Sequence, residues 1–143
     1  MRTVSTVALL TVAACAPAVA ASGPAPMAAV CRPADALANR TVTDLKALAT
    51  TTDTLRRAML DSLKLSATRA SDVSYVTDER TCSKALNALN THMGTANQQR
   101  QLYVYKFGTD YLVEDPTIGA DSEYRGLRIF DRKWVFKRVY LAY

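Results

Sequence analysis

Apolar positions between residues 41 and 65 recur as Leu45, Leu48, Leu55, Met59 and Leu63, at steps of three, four or seven. That spacing is the stripe of an amphipathic helix. The run Thr50-Thr51-Thr52-Asp53 interrupts it. Threonine is a poor interior helix residue and a good cap, so the stripe is predicted to split, with a fresh helix over residues 53–65. Further on, Cys82, Ala85, Leu86, Leu89 and Met93 form one helical face. Asp78 and Glu79 suit the start of that helix, and Gly94 stands where a left-handed cap would stop it. Residues 66–72 and 95–101 are polar and read as linkers.

From residue 102 the period changes. Residues 102–107 and 111–114 alternate as strands around a turn at Gly108-Thr109-Asp110, closing on Asp115-Pro116. Residues 124–130 and 134–141, joined by Asp131-Arg132-Lys133, are rich in β-branched and aromatic residues and predict two more strands. Val73-Ser74-Tyr75-Val76 is a short strand candidate. Helices first and a meander afterwards predict an α+β fold: two or three helices packed on an antiparallel sheet of three to five strands, with a C-terminal β-meander. We expect the helices on one face of that sheet, in a single domain over residues 34–143. Strict alternation in the last strand would put Trp134, Phe136, Arg138 and Tyr140 on one face and Val135, Lys137, Val139 and Leu141 on the other.

The amino terminus changes the picture of where this domain works. Met1-Arg2-Thr3 precedes an uncharged stretch rich in Val, Leu and Ala, and Ala18-Val19-Ala20 supplies a small-residue exit. That order is a secretory signal over residues 1–20, with Ala21 the first mature residue, or Ser22 if cleavage falls one later. A second reading competes: Val12-Ala13-Ala14-Cys15 resembles a lipobox, in which Cys15 would be lipidated. Residues 21–33 hold three prolines and no apolar period, and so predict a mobile tether up to Cys31. No later segment is apolar enough to span a bilayer. With the signal set aside, Cys31 and Cys82 are the thiols that remain, and an oxidising compartment favours their bond.

Candidate chemistry is sparse. The chain holds one histidine, His92, beside the predicted helix end at Gly94, where a cation is favoured electrostatically. It reads as a surface or cap residue. No His/Cys cluster has metal-ligand spacing, no serine sits in a nucleophile turn, and no glycine loop could cradle a cofactor phosphate. We therefore assign no catalytic, metal or cofactor residue. Paired carboxylates are the remaining route to catalysis, and Glu114, Asp115, Asp121 and Glu123 cluster near the hairpin end. The simpler reading is a solvated acidic loop. Asn39-Arg40-Thr41 fits a glycosylation sequon and is counted as surface.

Charge is uneven along the chain. After residue 123 stand Arg125, Arg128, Arg132, Lys133, Lys137 and Arg138 against the single acid Asp131. Interleaved with Tyr124, Phe130, Trp134, Phe136 and Tyr140, these six cations are a candidate surface for an anionic polymer or the cell envelope. Export argues against nucleic acid. The structural alternative is that cations on an edge strand block unwanted pairing.

The stretch from about residue 45 to residue 136 resembles a group of small exported bacterial proteins to which no activity is assigned. The likeness rests on Val76-Thr77-Asp78 before the cysteine helix, the Gly108 hairpin with Asp115-Pro116, and Phe130-Asp131. It implies no cofactor, catalytic residue or partner. The expectation is thus an exported, disulfide-tied domain with a non-enzymatic binding or envelope-structural role. A small carboxylate-dependent secreted hydrolase and a lipid-anchored envelope lipoprotein are the alternatives.

Overall fold

A computed structural model describes residues 29–65, 67–118 and 125–142. The expected signal with its exit at Ala20 and Ala21, the candidate lipidation site Cys15, and the acids Asp121 and Glu123 lie outside the described residues.

Helix α1 spans Ala36–Ala49 and begins at Asp35, whose side chain accepts from the Ala38 amide at 2.8 Å. It buries Ala38, Thr41, Leu45, Leu48 and Ala49, one stripe at helical spacing. Helix α2, Thr54–Leu63, starts where the threonine run predicted a break, with Asp53 accepting from the Arg56 amide at 3.0 Å. A 3-10 turn, Ala70–Asp72, leads into strand β1, Val73–Tyr75. Helix α3, Glu79–Met93, is capped by Asp78 at its start and by Gly94 at its end, where φ is +69°. Left-handed backbone at that position favours glycine.

Strands β2 (Tyr103–Phe107), β3 (Asp110–Glu114), β4 (Arg125–Phe130) and β5 (Phe136–Ala142) follow. With β1 they make a five-stranded antiparallel sheet whose spatial order is the chain order. Gly108, at φ +65°, takes the first central position of the two-residue turn between β2 and β3, where glycine permits the tight reversal.

The helices do not share one face of the sheet, contrary to expectation. Tyr103, Tyr105, Phe107, Leu112, Leu127 and Ile129 pack with the apolar stripes of α1 and α2. Val104, Val113 and Phe130 point the other way and pack with Cys82, Ala85 and Leu89 of α3. Alternating Cβ direction forces this division, because β2 and β3 carry apolar residues at consecutive positions and both faces need cover.

The last strand also departs from strict alternation. Phe136 pairs with Phe130, yet Arg138 pairs with Ile129, so Lys137 is an extra residue in a β-bulge. Phe136 consequently packs on the α3 side and Tyr140 on the α1 and α2 side, rather than sharing a face. Trp134 lies in the turn before β5 with φ +65°. The bulge directs Lys137 to Asp110 at 3.1 Å and to the carbonyl of Lys64 at 2.9 Å, tying β5 to β3 and the end of α2.

Cys31 and Cys82 are bonded, with an S–S distance of 2.04 Å and a Cα separation of 5.6 Å. The segment around Cys31 extends the sheet: Cys31 bridges Leu102 in parallel, with Leu102 donating to the Val30 carbonyl and Arg32 to that of Leu102. Tyr75 donates its hydroxyl to the Arg32 carbonyl, and the Arg32 guanidinium lies 5.4 Å from the Tyr103 ring centre. Among the described residues no helix is long and apolar enough to cross a membrane.

Candidate functional site

α3 covers β2 and β3 on its side of the sheet, and an open groove of about 610 Å³ lies beside it. One wall is helical: Lys84, Asn87, Ala88, Thr91 and His92 recur at the three- and four-residue steps that align along α3. The other wall is the β4–β5 corner, Phe130, Trp134, Val135 and Phe136. A volume in the range of small-molecule sites, apolar on one side with a few polar groups opposite, is the usual form of a binding pocket.

Ring geometry organises this groove. The His92 imidazole stacks on Phe136 with centres 3.9 Å apart and planes 16° from parallel. Trp134 stacks on Tyr111 at 4.2 Å, again 16° from parallel. Phe130, 1% exposed, meets Phe136 edge to face at 5.8 Å and braces both stacks from the core. The turn that holds Trp134 is itself fixed: Asp131 accepts from the amides of Lys133 at 2.8 Å and Val135 at 3.0 Å. Those two backbone bonds, the Val135 one first, hold the Asp131 carboxyl below its ordinary pKa, against the opposing effect of burial.

His92 was expected to be a surface or cap residue. It is exposed and in the last turn of α3, but it also lines the groove by way of the stack on Phe136. That contact joins residues 44 positions apart and has no local sequence signal.

The six C-terminal cations are distributed over the β4–β5 unit rather than gathered. Lys137 turns toward Asp110 on the α1 and α2 side. Arg128 pairs with Val113 and Val139, on the α3 side of the sheet. Arg132 and Lys133 are exposed in the turn, and Arg138 is exposed on β5, which lies at the sheet edge. Arg125 opens β4, and its side chain lies outside the described residues.

Of the four candidate acids, Glu114 and Asp115 are described, and both are buried. Asp115 is held by Arg100 at 2.7 Å and by the Thr117 hydroxyl and amide at 2.6 and 2.9 Å. Burial is the largest single influence on its pKa and acts upward, but the Thr117 and Arg100 bonds together outweigh it, and the carboxyl sits below its ordinary value. A general acid needs the opposite shift. Among the described residues no group of three or more His, Cys, Asp or Glu side chains could hold a metal ion.

No family model, curated protein or solved structure matches this chain.

Proposed function

We propose that the chain is an exported, disulfide-tied binding domain without catalytic chemistry, and that the groove between α3 and the β4–β5 corner is its binding site. The observation that carries this reading is the pair of pre-stacked ring systems, His92 on Phe136 and Trp134 on Tyr111, flanking an open cavity. Rings already fixed by packing lose little freedom when a ligand arrives, which favours binding. Export is supported by the amino-terminal sequence and by the Cys31–Cys82 bond, since such bonds persist in oxidising compartments.

Two measurements test the reading. The chain contains one tryptophan and one histidine, and both line the groove. Titration of the purified domain with the neutral probe 2-naphthalenemethanol should shift the Trp134 indole and His92 imidazole NMR signals saturably. Failure of both signals to move overturns the groove assignment. The intact mass of the exported protein should begin at Ala21 or Ser22, whereas a mass beginning at an acylated Cys15 would replace soluble export with the envelope anchor.

A further inference from the structure

We infer that the groove selects a planar aromatic anion, with Lys84 as the cation that recognises its acidic group. This inference rests on the groove being the binding site and adds the chemical class of the ligand.

Shape is the first argument. His92 and Trp134 line the groove as members of the two stacks, and the faces they can still offer suit another flat ring system. Offset stacking of a third ring adds attraction beyond area burial. Phe130 and Val135 supply the remaining apolar wall.

Charge is the second. Lys84 lines the groove, and among the described residues no Asp or Glu does. The turn that forms the aromatic wall carries Arg132 and Lys133, both exposed. The acid in that turn, Asp131, has one carboxylate oxygen occupied by two backbone amides. The sheet surface beyond the rings adds Arg128, two residues along β4 from Phe130 and on the same face. Its Nε is buried and makes no hydrogen bond within the described residues. Among these described side chains four cations, Lys84, Arg128, Arg132 and Lys133, stand against the one carboxylate of Asp131, so their summed field at the groove favours an anion and disfavours a cation of the same shape.

The test compares three probes of one shape on the full domain: 2-naphthoate, neutral 2-naphthalenemethanol and cationic 2-naphthylmethylamine. Binding is followed by calorimetry and by the Trp134 and His92 signals. Naphthoate should bind about tenfold more tightly than the alcohol, a margin typical of one charge-assisted hydrogen bond, and the amine more weakly than both. Lys84→Gln should remove the naphthoate advantage, so that acid and alcohol bind the variant about equally. Lys46→Gln, on the exposed side of α1, should change neither. Both lysines are exposed, so neither variant threatens the fold.

Equal affinity for acid and alcohol overturns the inference while leaving the groove as a binding site. So does an equal loss from Lys46→Gln, because the preference would then be net charge alone. Tighter binding of decanoate than of naphthoate also overturns it, assigning the groove to acyl chains. Absence of any shift at Trp134 and His92 with all three probes removes the underlying reading.

Discussion

Arg100 donates to four side chains from a nearly closed environment: Asn90 at 2.8 Å, Asp115 at 2.7 Å, Thr95 at 2.9 Å and Gln98 at 3.3 Å. The Arg100 and Asp115 side chains are 5% and 3% exposed. Removing one partner of such a pair strands a buried charge, and this costs more than the pair itself contributes. Arg100→Ala is expected to lower stability by about 3 to 5 kcal/mol in chemical denaturation. The pH dependence follows from the depressed pKa of Asp115. A carboxyl that titrates lower when folded contributes fully above its unfolded value, and that contribution is lost as pH falls through the folded value. The native protein should therefore lose stability below about pH 4, and the gap between it and Arg100→Ala should narrow over the same acid range. A gap that stays constant down to pH 2 would show that the ion pair is not what the substitution removed.

At the scale of elements, Asp35 and Asp53 cap successive helices by the same bond, yet they are not equivalent. Asp35 also accepts from the buried Tyr103 hydroxyl at 2.6 Å, a contact that lowers the Asp35 pKa and links α1 to β2. Asp53→Ala should cost about 1 kcal/mol, the usual value of an N-cap. Asp35→Ala should cost clearly more, because a buried hydroxyl loses its acceptor, and Asp35→Ala with Tyr103→Phe should recover part of that difference. Equal losses from the two single variants would reduce Asp35 to a cap alone.

What could be read from the sequence divides along the same line. The helix break before Asp53, the stop at Gly94 and the hairpin at Gly108 obey rules spanning a few residues, and all three are found where the sequence places them. The start of α1 at Ala36 was missed, as residues 34–40 lack the leucine spacing used to trace the helix. The bulge at Lys137 answers to Asp110, which is 27 residues away, and no local pattern announces it. Residues 95–101 read as polar linker, although Thr95, Gln98 and Arg100 close around Asp115 and Asn90. The groove is hidden for the same reason: its walls come from α3 and from a corner some 40 residues later.

For the whole molecule the Cys31–Cys82 bond closes a loop with a sequence separation of 51. In the chain-entropy model, closure of that length is worth about 4 kcal/mol, comparable to the net stability of a marginal domain. The double variant Cys31→Ser/Cys82→Ser should lose stability of that order in urea, and reductant should then have no further effect on it. A loss below about 1 kcal/mol would mean that the backbone bonds of Val30 and Arg32 to Leu102 hold the segment unaided.

The chain-order arrangement of the sheet bears on the kinetics of folding. Since every strand from β3 onward pairs with the one just made, the meander can zip from one hairpin to the next with short loop closures, which favours rapid assembly. Docking of Val30–Arg32 against Leu102 instead joins residues about 70 positions apart and needs a long search. An interaction that forms after the rate-limiting barrier slows unfolding and leaves folding nearly unchanged. The disulfide would then act as a latch on an already assembled sheet, setting how long the native state persists rather than how quickly it is reached.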